Sequence, residues 1–490
     1  MKSKKANIDP ELLEIGYWIL PILLFVLQAI FTFSSFNQIR YEELAESIRN
    51  VFWLEKGLVY DGVSSNLGWY LPLLGIYKLF GFSLFAAKYL RLGIAFFSLL
   101  SLAAVFKKLL GLKAWLPLLV IGLSPTLIFF SCLEAQFGIE LQVLPILIWL
   151  LLYVSPQKTW QSVLALLGIG VIAMITWLSY PAFIIYIPVL GFWIVYRLGQ
   201  KKLVQLSALV IGGLIPFLLA ISLVTNKNVL WHDPKTGGGL FRGAGQLSFS
   251  LTHIWNNVIG LISDLLSKGT SYYYEVAAGD FSYLFPLVSL GFVTYTCYQV
   301  WQQKDKKRLI IFSAIIVMVL SLFLSSMTSD PSGLPGMRRN TGVLVGIYTL
   351  FTLIWDWIFN KKWVDRQVKQ IVIGVCILLL VHHGLAYIVN ISSLSKPSLF
   401  QAGLWFGIYE NPQKSIDFWA TKAQKEPLEL ACKNEAGENV YCRYPEIYAT
   451  LAGSCEWNKL NCREIYGFDN KTQKFIPLSV ELWRDYYWEH

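Results

Sequence analysis

Residues 16–36 read GYWILPILLFVLQAIFTFSSF, a run of twenty-one positions with no Asp, Glu, Lys, Arg or His. Coiled as an α-helix it reaches about 30 Å, the thickness of the hydrocarbon core of a bilayer. It follows Lys2, Lys4 and Lys5 and is not followed by a small-residue cleavage site, so it is expected to stay in the protein as a signal anchor. The rest of the chain repeats the pattern. Apolar windows of spanning length fall near residues 83–105, 114–133, 137–154, 160–179, 181–197, 203–224, 282–301, 309–326, 340–359 and 370–391. With the first, they predict an all-α polytopic membrane protein of about eleven transmembrane helices. Composition agrees: 55% of the 490 residues are hydrophobic, 15% aromatic and only 15% charged, against about 25% charged in an ordinary soluble chain.

Charge gives the orientation. With the N-terminus in the cytoplasm, the short inner loops carry Lys107, Lys108 and Lys113; Lys158; Arg197, Lys201 and Lys202; Lys304, Lys306, Lys307 and Arg308; and Lys361, Lys362, Arg366 and Lys369. The opposite turns near Glu134 and Tyr180 carry no Lys or Arg, which is the asymmetry of the positive-inside rule. The net charge of +10 forms no block or stripe, so a nucleic-acid partner is not expected. The apolar stretch from Gly68 to Phe82, interrupted by Pro72 and Lys78, is short for a span and reads as a helix packed at the outer surface.

This parity divides the chain into a transmembrane domain over residues 1–391, with outer loops 37–67 and 225–281, and a small extracytoplasmic domain over 392–490. In the first loop Tyr41, Leu44, Ala45, Ile48, Val51 and Phe52 form a stripe at helical spacing, and in the second Leu251, Ile254, Trp255, Val258, Ile262 and Leu265 do the same. Both read as helices lying in the membrane interface. The C-terminal segment carries Cys432, Cys442, Cys455 and Cys462, four of the seven cysteines. Outside the cytoplasm they are expected to form two disulfides, in a pairing that sequence leaves open; a zinc site is the rival, with spacings too long for Cys-x-x-Cys and no nearby His.

Ionisable groups at the outer ends of spans are the informative ones, because burying them is costly. Arg40-Tyr41-Glu42-Glu43 puts paired carboxylates just past the first span, where one could serve as general base on an acceptor hydroxyl or amine, or simply favour a helix start. Glu134 lies in the tight turn Ser131-Cys132-Leu133-Glu134-Ala135-Gln136, with Glu140 expected about one and a half turns into the next helix. Arg338 and Arg339, at the outer mouth of the tenth window, run against the topological preference of basic residues. A guanidinium pair there fits a phosphate or an anionic lipid head group, and Lys88 and Arg91 could join it. His232, His253 and the His382–His383 pair have no metal-ligand spacing, and Gly237-Gly238-Gly239 opens no helix, so it is loop and not a phosphate cradle.

The order of these features resembles the GT-C superfamily of membrane glycosyltransferases, and within it glycosyltransferase family 39, the protein O-mannosyltransferase and lipid A aminoarabinose transferase group. Glu42-Glu43-Leu44-Ala45 stands where that family has Asp-Glu and a helix start. Gly68-Trp69-Tyr70-Leu71-Pro72-Leu73 to Phe80-Gly81 is similar to its Pro-containing surface helix. Phe85-Ala86-Ala87-Lys88-Tyr89-Leu90-Arg91-Leu92 resembles its entry to the second span, and Ser124-Pro125 with Ser131 to Ala135 its second acidic segment. The motifs cover residues 15–155, and hydropathy alone carries the rest. The chain departs from the family in having Glu42 where the base is usually Asp.

The resemblance implies a sugar donor on a polyprenyl phosphate in the outer leaflet and a lipid, glycan or protein acceptor. It implies Glu42 as base, with Glu43 and Glu134 beside it, and attack with inversion at the anomeric carbon. Arg338 and Arg339 would hold the departing lipid phosphate. No nucleotide-binding fold is needed, and a divalent metal is possible. A lipid-linked sugar flippase is the non-enzymatic alternative; it needs polar groups through the bilayer middle, whereas polar residues here gather at the outer ends. An O-antigen-type polymerase shares the substrates and stays open.

Overall fold

The computed structural model describes residues 10–34, 47, 51, 54, 66–80, 86–124, 127–128, 131, 136, 138–199, 203–223, 251–268, 298, 301–302, 307–327, 340–360, 366–394, 431–433, 439–441, 465–469 and 474–478. The helices are α1 Pro10–Ser34, α2 Leu67–Phe80, α3 Ala86–Leu110, α4 Trp115–Gly122, α5 Ile139–Leu151, α6 Thr159–Ser179, α7 Ile187–Leu198, α8 Leu203–Leu223, α9 Leu251–Lys268, α10 Lys307–Met327, α11 Thr341–Asn360 and α12 Arg366–Leu394. Short 3-10 turns, Gly111–Ala114 and Pro181–Tyr186, lead into α4 and α7.

Among the described residues, seven helices are long and apolar enough to cross a membrane: Glu11–Ile30, Ala86–Leu110, Thr159–Ser179, Pro181–Leu198, Gln205–Ser222, Lys307–Ser326 and Thr341–Phe359. Their outer surfaces are those of a multi-pass membrane protein. On α8, Val210, Ile211, Leu214, Ile215, Leu218 and Leu219 are 44–58% exposed along one continuous face, an apolar area that water would not tolerate and lipid does.

The other windows behave differently. The 114–133 window is not one continuous helix: α4 ends at Gly122, and Ser124 N–H donates to Ile121 O at 3.0 Å in a tightened turn. Pro125, which follows, lacks the N–H that would continue the ladder. The 137–154 window yields the 13-residue α5, about 20 Å long and short of a full crossing. Window 370–391 lies within the 29-residue α12, and 282–301 falls almost wholly outside the described residues. The helix expected at the outer surface over 68–82 is α2, and it is more deeply packed than a surface helix. Trp69, Tyr70, Leu73 and Tyr77 are buried in the main core, while the last turn, Leu79 and Phe80, is exposed.

Small residues let the helices approach. A Cβ built on Gly170 of α6 would lie 2.3 Å from Leu209 O of α8, and one on Gly212 of α8 would lie 2.3 Å from Leu167 O of α6. Close backbone contact of this kind is what associates helices in lipid, where apolar burial gives little net drive.

The helices alternate in direction. One end of the bundle holds a Glu14–Lys107 ion pair between α1 and α3, and a Lys307–Asp356 pair between α10 and α11. At the same end of the chain's alternation, Arg197 of α7 donates to Val154 O at 3.0 Å and Leu152 O at 3.1 Å, closing the C-terminus of α5. Of these, Lys107, Arg197 and Lys307 are residues that the charge pattern assigns to the inner loops. In the C-terminal segment the described residues form two antiparallel strand pairs. Strands β1 Ala431–Lys433 and β2 Asn439–Tyr441 pair with Cys432 opposite Val440, and β3 Ile465–Asp469 pairs with β4 Lys474–Leu478. Cys442, Cys455 and Cys462 lie outside the described residues, as do Cys132 and Cys297, and Cys376 is a free, buried thiol.

Candidate functional site

The end of the bundle opposite the Glu14–Lys107 and Lys307–Asp356 pairs gathers the starts of α3, α5 and α11 and the ends of α6 and α10. The first two turns of α3 place Lys88 and Arg91 on one face, three residues apart, and both are buried, at 1% and 0% exposure. The flanking Ala86 and Ala87 are buried too, so neighbouring helices come close enough to shut out solvent. The Arg91 guanidinium lies over the Trp69 ring at 5.8 Å, a cation–π contact. The Trp69 indole N–H in turn donates to Ser47 Oγ at 3.3 Å. Ser47, Val51 and Leu54 are buried at helical spacing, so of the stripe expected in the 37–67 loop, Val51 is seen on a buried face.

Glu140 of α5 comes within electrostatic reach of Arg91. Gly138, at φ +67° in the left-handed region that glycine favours, turns the chain into the helix. Glu140 therefore sits in the first turn and not one and a half turns in, and it is only 1% exposed. Its Oε1 accepts a hydrogen bond from the Thr341 hydroxyl at the start of α11, and Arg91 lies within electrostatic reach. Its Oε2 completes no hydrogen bond among the described residues. Tyr186, the last residue of the Pro181–Tyr186 turn, is also buried. Its hydroxyl faces the Thr341 hydroxyl and lies within electrostatic reach of Glu140, but no hydrogen bond of full geometry is completed there among the described residues.

A second polar network adjoins the first. Asn340, immediately before Thr341, is buried; its Nδ2 donates to Asn257 Oδ1 of α9 at 3.0 Å, and its Oδ1 accepts from Ser325 Oγ at 2.7 Å. Asn257 Nδ2 reaches Ser325 Oγ at 2.5 Å, Ser326 Oγ at 2.9 Å and Leu322 O at 2.9 Å, all at the end of α10. The expected amphipathic helix over 251–265 is thus present as α9, with its polar Asn257 turned to the bundle and Leu251 and Trp255 exposed. On the α4–α5 side, Gln142 Nε2 donates to Ser131 Oγ at 2.7 Å, and Gln136 is buried.

Of the residues singled out in the sequence, Arg91 is brought within electrostatic reach of Glu140, and Lys88 is buried one turn of α3 away from Arg91. Glu42, Glu43, Glu134, Arg338 and Arg339 lie outside the described residues. Sequence reading placed Glu140 beside Glu134 as a carboxylate inside the next helix, and gave no role to Thr341, Tyr186, Asn257 or Asn340. Among the described residues no three His, Cys, Asp or Glu side chains gather to hold a metal ion. What the cluster offers is two fixed cations, a carboxylate with one unused oxygen and two hydroxyls, suited to a ligand with both an anionic and a hydroxylated part. No family model matches the chain, and no curated protein matches it.

Proposed function

We propose that the chain is a GT-C-type membrane glycosyltransferase that moves a sugar from a polyprenyl phosphate to an acceptor at the outer face of the membrane. The observation that carries the reading is the burial of Lys88 and Arg91 with Glu140 at the bundle end away from the loops that the positive-inside rule assigns to the cytoplasm. Charges shut inside an apolar bundle are expensive, and a substrate phosphate is a reason to keep cations there. Connectivity supports the rest. Arg339 is one peptide from the buried Asn340, Glu134 two residues from the buried Gln136, and Glu42 five residues from the buried Ser47. Even fully extended, those links reach about 4, 7 and 17 Å.

In this reading Lys88, Arg91, Arg338 and Arg339 hold the donor phosphate. Glu42 takes the proton from the acceptor hydroxyl as its oxygen bonds to the anomeric carbon from the face opposite the phosphate. The bond from that carbon to the phosphate oxygen breaks, its electron pair stays on the phosphate, and the sugar is transferred with inversion. The basic groups stabilise the charge that develops on the leaving phosphate. Glu43 and Glu134 flank the base. The protein lies in the plasma membrane with its N-terminus cytoplasmic and residues after Ile391 outside.

The test is transfer of radiolabelled sugar from polyprenyl-phosphate donors by the full chain in nanodiscs. Glu42→Gln should abolish transfer while the protein stays folded, because it removes the base and keeps size and hydrogen bonding. Arg338→Ala should raise the donor concentration needed as well as lower the rate. Transport of the lipid-linked sugar across the bilayer without transfer would support the flippase instead.

A further inference from the structure

Glu140 Oε2 and the Tyr186 hydroxyl are hydrogen-bonding atoms shut away from solvent, on elements that meet only through the fold, with Thr341 between them. Leaving such atoms unpaired costs free energy that an all-apolar pair would not, so their retention calls for a ligand. We infer that Glu140 and Tyr186 form the subsite for the sugar ring of the donor, and that the sugar is a neutral polyhydroxylated one. The inference rests on the proposed function and deepens it.

Chemistry narrows the ligand. A phosphate at Glu140 would meet a carboxylate and is better served by Lys88 and Arg91. An ammonium group would meet Arg91 beside the same carboxylate. A neutral hydroxyl is compatible with both: it donates to Glu140 Oε2, while Tyr186 gives and accepts at a neighbouring hydroxyl. Thr341 already donates to Oε1, which fixes the carboxylate plane and leaves Oε2 as its free acceptor. The subsite thus lies beside the cations, as a sugar lies beside the phosphate that carries it.

The test uses the full chain in nanodiscs and compares binding of bare polyprenyl phosphate with the same lipid carrying glucose, mannose, arabinose or an amino sugar. The wild type should bind at least one neutral form about tenfold more tightly than the bare lipid, the worth of one or two good hydrogen bonds. The amino-sugar form should gain nothing over the bare lipid. Tyr186→Phe should cut the preference several-fold and leave bare-lipid affinity unchanged; Glu140→Gln should cut it as well while bare-lipid affinity rises, because an anion within electrostatic reach of Arg91 is removed. Tyr186→Phe should also keep or raise the melting temperature, since the hydroxyl it deletes has beside it only the Thr341 hydroxyl, whose proton already goes to Glu140; a fall would show that hydroxyl to be structural and overturn the assignment. A preference that survives both substitutions, or one lost in step with bare-lipid affinity, also overturns the subsite while the glycosyltransferase reading stands. Failure of every polyprenyl phosphate to bind defeats both.

Discussion

Arg91 is cut off from water, stacked on Trp69 and set against Glu140, so its charge is balanced only by what the fold supplies. Truncating one member of such a buried set leaves the other uncompensated. Arg91→Ala should therefore lower stability by roughly 3–5 kcal/mol, read as loss of thermal stability in detergent, and Arg91→Lys should recover only part because it restores charge without the planar stack. A loss no larger than that of an exposed site would contradict this account of the cluster. Much of it is legible in the sequence, since Lys88, Arg91 and Glu140 are charges inside apolar runs and have no inexpensive structural role there. Their hydroxyl partners are not. Thr176, Thr349, Thr352 and Ser313 all turn back on the carbonyl four residues earlier in their own helices. Thr341, the first residue of α11, has no such carbonyl in its own helix, but nothing local points to its partner Glu140, 201 residues away.

At the scale of elements, α9 is held to the bundle through Asn257, which joins the ends of α10 and α11. Asn257→Ala should strand several buried polar groups and cost about 1–3 kcal/mol, seen as faster amide exchange across 251–259 with the remaining helices unchanged. Unaltered exchange would mean that α9 is held by its apolar face alone. The α6–α8 crossing should be equally sensitive, because a side chain at Gly170 has backbone in its way. Gly170→Leu should lower the yield of folded protein, and a normal yield would show that the crossing relaxes freely. The long helices are legible because about twenty apolar residues in a row have few other fates. The break after Gly122 depends on Pro125, whose Ser124 neighbour closes a tighter turn. The burial of α2 depends on packing against α6, which periodicity does not reveal.

For the whole molecule, the alternation of helix directions sets the Lys107, Arg197 and Lys307 end against the Arg91, Glu140 and Asn340 end. If the first is cytoplasmic, a reporter active only in the cytoplasm and fused after Ile391 should be silent, and a bright signal would mean an even number of crossings. Cys432, Cys442, Cys455 and Cys462 should then be blocked to thiol labelling in denatured, unreduced protein, whereas four free thiols would place the tail in a reducing compartment. These measurements fix the sides of the membrane; the central claim concerns what is held between them. Its most direct test is an experimental density map of the full chain with a polyprenyl phosphate bound in nanodiscs. The account predicts the phosphate within ion-pair distance, about 4 Å, of Lys88 or Arg91 and of Arg338 or Arg339, with Glu42 on the far side of the sugar position. A phosphate seated instead at the Lys107 and Lys307 end, or along a path through the bilayer middle, would contradict it.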